Sequence, residues 1–337
     1  MALVLWWGWS VGAICYSGLS PALLRGALAA LLAVGAPLAF FLLPRAGKAS
    51  RGGVAGGLVV VLLGVLAGWL AIRPSHQRDW SPDQAVLPTA EIDGDRVTVR
   101  NVRFCAYATP RDYTVAYEDR TYDLARLESV DYLVELLGGK SWIAHTFLSF
   151  GFGDGEYLAV SVEIRKERGE RFSAVKGLYR QYEIMYVLGD ERDLIHLRAN
   201  LRRDPVFLYP VQVSRERVRT LFLDVLDRVN RLARRPEFYH TLTNTCTTNI
   251  VRHVDAVAPE PVPFSLKVLF PGYSDRLAYG LGLIDTSAPF PQVRDRHRIN
   301  ARAWRHRDSP AFSRLIRQAG RAPLPPPAGQ GIIGGGE

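Results

Sequence analysis

Apolar residues fill the first 72 positions almost without interruption; only after them does the chain begin to alternate. Residues 22–43 form one run, broken by Arg25 and Pro37, and residues 53–72 form a second with no charge. About 20 apolar residues in a helix cross the hydrocarbon core of a bilayer, so both runs are expected as membrane spans. Core helices of a soluble protein would keep a polar face. Residues 2–17 are also apolar and carry Trp6, Trp7 and Trp9, which predicts either a third, short span or an interfacial stretch. Arg45, Lys48 and Arg51 stand between the two long runs with no acid among them. Short basic loops stay cytoplasmic, so the second span leads outward and the chain after about Arg73 is expected on the far side. A cleaved signal peptide fits poorly, because no basic segment precedes the first run and two long runs follow.

The pattern then changes. Residues 73–90, with Pro74 and Pro82, read as a juxtamembrane linker. Residues 97–104 alternate as a half-buried strand does, after an Asp-Gly-Asp turn at 93–95. Residues 130–137 suit a short helix or strand. Residues 142–152 and 157–165 are β-prone and flank Gly153-Asp-Gly155, which predicts a hairpin. Residues 172–182 are expected to be helical, and 184–188, 194–197 and 206–213 to be strands. Ser214 caps an amphipathic pattern of Val218, Leu221, Phe222, Val225, Leu226, Val229 and Leu232 that Pro236 ends. A second helix is expected from Cys246 to about Asp255. Beyond Pro259 the chain reads as loop, and from about Ala322 its Pro and Gly content predicts disorder. The sum is an α+β domain with a mainly antiparallel sheet over 91–300, followed by a basic and then Pro/Gly-rich tail at 301–337.

The net charge of +9 comes mostly from arginine. Such a surface suits anionic lipid headgroups or nucleic acid, but no nucleic-acid motif accompanies it; a solvated arginine-rich surface explains it equally well. The three cysteines are Cys15, Cys105 and Cys246. The two outside the apolar region could pair in an oxidising compartment, but no CxxC and no zinc spacing occurs, and neither a metal nor a cofactor is expected.

Cys246 stands where a polar segment, 242–249, turns apolar and helical. With Asn244 or Thr245 as cap, its thiol lies in the first helical turn, where unpaired N–H groups favour a thiolate and can hold an oxyanion. A buried structural cysteine is the plain alternative. A thiol nucleophile needs a base. His253, seven residues on, lies about 10 Å further along the helix axis. His240, in the loop before the helix, could reach the thiol, though nothing fixes it; His297 and His306 read as surface, His76 is juxtamembrane, and His196 suits a solvent-facing strand position. His145 stands at the start of a hairpin strand among apolar and small residues, as a base or as a core histidine. A three-residue turn at 153–155 sets Glu163 opposite His145; a two- or four-residue turn sets Ile164 there. Glu163 could then orient the imidazole, with Ser161 as the substitute, or be an exposed carboxylate paired with Arg165.

The runs at 144–152 (AHTFLSFGF), 161–167 (SVEIRKE), 243–249 (TNTCTTN), 271–276 (PGYSDR) and 73–80 (RPSHQRDW) resemble the Lnb N-terminal periplasmic domain family. The resemblance spans about 73–300. It implies a thiol-hydrolase fold similar to circularly permuted papain-like (NlpC/P60-like) enzymes, with the nucleophile at Cys246 and the base at His145; Glu163 falls on a further motif. It also implies lipoprotein N-acylation at the bacterial inner membrane, from a phospholipid donor to a lipoprotein N-terminus. The chain departs from those enzymes in its Pro/Gly-rich tail, where they carry a further membrane-associated part. Two alternatives accompany the acyltransferase: a Cys-His hydrolase (cell-wall amidase, peptidase or phospholipase), and a membrane-tethered binding domain without catalysis.

Overall fold

The computed structural model describes residues 2–19, 21–42 and 48–318. Arg45 of the expected basic loop and the Pro/Gly-rich tail lie outside the described residues. The chain forms two units. One comprises Met1–Arg78, Gly169–Glu183 and Pro236–Leu242; the other comprises Asp79–Arg168, Ile184–Arg235 and the residues from Thr243 onward.

The first unit holds α1 (Ala2–Cys15), α2 (Ala22–Leu42) and α3 (Lys48–Ala71). Among the described residues one stretch, Gly52–Ala71, is long and apolar enough to cross a membrane, with a mean hydropathy of 2.4. The apolar stretches of α1 and α2 are shorter, Val4–Cys15 and Ala22–Gly35. The expected helix at 172–182 is absent; only the turn Lys176–Leu178 is helical, as a 3-10 turn. Competing bonds explain this. The Tyr182 hydroxyl donates to Arg171 O at 2.7 Å and accepts from Ser173 N at 3.0 Å, and the Thr241 hydroxyl donates to Ala174 O at 2.6 Å. These take up backbone groups that a helix would need.

The second unit is built on strands β1 (Thr89–Asp93), β2 (Arg96–Arg103), β3 (Ala106–Thr109), β4 (Asp112–Thr114), β5 (Tyr117–Asp123), β6 (Leu127–Leu136), β7 (Ala144–Phe152), β8 (Glu156–Arg165), β9 (Glu183–Gly189) and β10 (Val206–Pro210). The main sheet runs β1-β2-β9-β8-β7-β6-β10, with β5 also on β2, and β3 and β4 form a separate pair. Its registered pairs are antiparallel except β2 with β9. The helices are α4 (Glu191–His196), α5 (Arg215–Arg234), α6 (Cys246–Val257), α7 (Leu266–Leu269), α8 (Ser274–Gly280), α9 (Phe290–His297), α10 (Asn300–Arg305) and α11 (Phe312–Leu315).

Strand side chains alternate between faces, and each face buries its own layer. On one, Phe150 and Phe152 meet Phe222 of α5 at 4.8 and 5.6 Å. On the other, Leu133 and Phe147 join Ile195, Val206, Ile299 and Phe312 in a closed core. Ser214 caps α5 as expected, accepting from Arg217 N.

Three expectations change. Residues 194–197 are helical rather than extended: Asp190 caps α4, and the chain runs on through a π turn, Leu197–Leu201. Four alternating residues are too few to separate the two periods. The region after Pro259 carries five short helices, α7 to α11, several of which close the second face. The expected linker is partly structural: Trp80 bridges to Glu167, Arg165 lies 4.3 Å over its ring, and Gln84 is fully buried.

Candidate active site

Helix α6 begins at Cys246. Thr245 is its cap and forms a capping box: Thr245 Oγ1 accepts from Thr248 N at 3.2 Å and Thr248 Oγ1 accepts from Thr245 N at 2.7 Å. The thiol therefore occupies the first turn, where the N–H groups of Cys246 and Thr247 have no intrahelical acceptor. Cys246 is 9% exposed. All three cysteines are free thiols, so Cys105 and Cys246 are not paired.

The thiol lies 3.8 Å from Thr247 Oγ1, which in turn lies 3.0 Å from Thr146 Oγ1. Thr146 thus faces α6, together with Tyr132 and Leu148. Its neighbour His145 points to the opposite face, beside Phe147, whose ring lies 5.7 Å away. His145 and Cys246 are accordingly not hydrogen-bonded, and one strand alternation separates them.

What the structure does bring together is His145, Ser161 and Glu163. The turn Gly153–Gly155 has three residues, and Phe147 pairs with Ser161. Continued by two residues, that register sets Glu163 across from His145. Ser161 Oγ lies 2.7 Å from His145 Nε2 and donates to Glu163 Oε1 at 2.9 Å. Because the single serine proton goes to Glu163, Nε2 is the donor and Nδ1 keeps the lone pair. Burial, helped by Arg198, pushes the His145 pKa down to about 3, so the ring is neutral at ordinary pH.

No local pattern marks the group at the centre of this network. Arg198, 3% exposed, reaches from the π turn to Glu163 Oε1 at 2.7 Å and to Glu135 Oε2 at 2.9 Å. Burial opposes ionisation of Glu163, but Arg198 and Arg103 outweigh it and hold the carboxyl well below its usual range. For Glu135 burial wins and its pKa is raised. Arg198 follows a segment, 194–197, expected as a strand. The π turn is what aims it inward.

Three other histidines of the second unit have partners of their own. His253 is held by Asp224 at 2.5 Å and the Tyr186 hydroxyl at 2.7 Å. His297 stacks on Tyr209 and bonds Val293 O, so it is not a free surface group. His196 lies in α4 and meets Asn200.

Beside α6 runs a narrow groove of about 80 Å³ lined by Val130, Leu148, Ile250, Val254, Leu277 and Ile284 among others. Its polar lining is limited to Tyr132, Thr247 and Ser274. Thr247 brings it next to the thiol. The 271–276 motif holds one wall: Ser274 accepts from the Tyr132 hydroxyl at 2.7 Å, and buried Asp275 accepts from the Tyr209 hydroxyl at 2.9 Å and pairs with Arg294 at 3.0 Å. Gly272 is pressed on the loop before β7; a Cβ there would lie 2.1 Å from Ser141 O.

Fold and site define an α+β domain with a helix-start cysteine packed on a largely antiparallel sheet beside an apolar groove. Residues 113–272 match the family described as the Lnb N-terminal periplasmic domain, the family that the sequence motifs resemble. The matched stretch contains Glu135, His145, Glu163, Arg198 and Cys246. No curated protein and no solved structure matches the chain. A periplasmic-domain family and a helix fit to cross a membrane describe a membrane-associated protein with a periplasmic domain.

Proposed function

We propose that this protein is a membrane-anchored periplasmic thiol acyltransferase that takes acyl chains from phospholipid at the inner membrane. The carrying observation is the apolar groove beside the capped helix start of Cys246. Methylene groups of an acyl chain suit such a lining; a peptide or glycan would need hydrogen-bonding partners along it. In the proposed reaction Cys246 Sγ attacks the ester carbonyl carbon while the first N–H groups of α6 hold the oxyanion. The ester C–O bond breaks, and the lysophospholipid alkoxide leaves with a proton. A lipoprotein α-amino group then attacks the thioester, losing a proton and releasing the thiol. His145 is the proposed base, and Glu163, through Ser161, its orienting carboxylate. With His145 turned to the other face, its part in the cycle requires the first residues of β7 to turn over.

A second reading, lipid-chain binding without catalysis, is favoured by one observation: Cys246 is buried and, among the described residues, has no histidine partner. A phospholipid with a photoactivatable acyl chain tests what both share. Crosslinks should fall on α6 and α8 peptides and diminish in Ile250→Trp, which fills the groove. Equal, scattered labelling in both proteins would remove the lipid reading. A hydroxylamine-labile acyl group on Cys246 then separates transferase from binder.

A further inference from the structure

The first unit contains more than membrane helices. The loop Gly169–Glu183 is fastened to the ends of α1 and α3. Arg180 Nη1 donates to the carbonyl oxygens of Trp69, Leu70 and Ile72, each at 3.1 Å, and its guanidinium lies 3.9 Å over the Trp69 ring. These carbonyls end the one stretch among the described residues fit to cross a membrane, where the helix runs out of N–H donors to offer them. Arg180 adopts the left-handed conformation, φ 56°, to make these bonds. Tyr179 stacks on Tyr16 at 5.3 Å and lies close over Gly12, where a Cβ would meet its hydroxyl at 2.1 Å. Trp9, Tyr16, Trp69 and Tyr179 thus form an aromatic group at one end of the apolar helices, the composition of a membrane–water interface.

From this fixed base the loop presents apolar side chains outward. Phe172 is 51% exposed, Val175 48% and, from the adjoining segment, Leu242 51%. They are not loose. Tyr182, Tyr239 and the Thr241 hydroxyl hold the two segments together, and Gly177 is in contact with Thr241. Exposed Arg171 sits beside Phe172 with no ion pair among the described residues. Rigid, exposed apolar groups next to a free cation, continuous with the end of a membrane span, fit lipid headgroups and their phosphates.

We propose that Gly169–Glu183, closed by Pro236–Leu242, is a membrane-interface element: Phe172, Val175 and Leu242 enter the headgroup layer and Arg171 meets lipid phosphate. This is independent of any chemistry at Cys246. The test uses the full chain with Cys15→Ser and Cys246→Ser, so that bimane cannot attach at the proposed nucleophile, reconstituted in nanodiscs of phosphatidylcholine and phosphatidylglycerol. Bimane is attached at Val175→Cys, Leu242→Cys or, for comparison, Ile92→Cys on β1. Lipids bearing a nitroxide near the headgroup should quench the first two positions several-fold more than the third, and aqueous iodide should quench them several-fold less. Iodide quenching at both positions equal to that at Ile92→Cys, with no lipid quenching, overturns the proposal. Protection from both quenchers also overturns it, because the occupant would then be protein.

Discussion

Replacing Arg198 by Met should unfold the second unit's core more readily than any other single change in the His145 network. Its guanidinium lies 2.9 Å from Glu135 and 2.7 Å from Glu163, and Glu135 is fully buried. Without Arg198, the ion-pair partner left to Glu135 among the described residues is Arg202, at 3.5 Å and 39% exposed. Removing one partner of a buried ion pair costs about 3–5 kcal/mol, because the remaining charge stays unpaired. At roughly 2–4 °C per kcal/mol for a unit of this size, the melting temperature should fall by about 6–20 °C. The deficit should shrink on acidification. Glu135 has a raised folded pKa, so folding holds a proton that the unfolded chain releases, and that stability is lost as pH rises through the folded value. Losing Arg198 raises the value further. The assay is thermal unfolding of full-length wild type and Arg198→Met in detergent, followed by tryptophan fluorescence at pH 7.5 and 5.5. A loss below about 1 kcal/mol, or the same loss at both pH values, would refute the account of a buried, charge-paired network.

Other predictions follow from the same geometry. Between pH 6 and 5 the unfolded chain protonates at His145 while the folded one, with its pKa pushed down to about 3, does not. Stability should therefore fall with pH, by up to about 1.4 kcal/mol per unit, and His145→Gln should flatten that slope in chemical denaturation series. Glu163, whose pKa is also lowered, adds to the loss only nearer its unfolded value of about 4.3. Thr245→Ala removes one half of the α6 capping box, costing about 0.5–2 kcal/mol, and should speed amide exchange at Thr248. Gly272→Ala drives a Cβ into Ser141 O and should destabilise by about 1–3 kcal/mol, read as a lower melting temperature.

Some of the site was legible from residue pattern alone. The Gly-Asp-Gly turn announces a hairpin, and of the turn lengths open to it the three-residue one aligns Glu163 with His145; the polar-to-apolar change at Cys246 announces a helix start, with Thr245 one of two candidate caps. Which face His145 occupies was not legible. Residues 146–152 are buried on both faces of a central strand, so no polar alternation marks inside from outside. Arg198 was hidden because Leu194 to Leu197 mimics a strand while Asp190, a cap, starts a helix. The 172–182 segment misled for the opposite reason: its helical pattern is overridden by the Tyr182 and Thr241 bonds. The groove joins residues from β6 to α8, more than a hundred positions apart, and no local pattern encodes that meeting.

The central claim, that Cys246 carries an acyl group, is tested most directly by intact mass of the full chain after incubation with a defined diacyl phospholipid and no amine acceptor. Wild type should gain the mass of one acyl chain, on the peptide containing Cys246, and lose it in neutral hydroxylamine. Cys246→Ala should gain nothing. An unmodified wild type, or an adduct that persists in Cys246→Ala, would contradict the account and leave the groove as a site of binding alone.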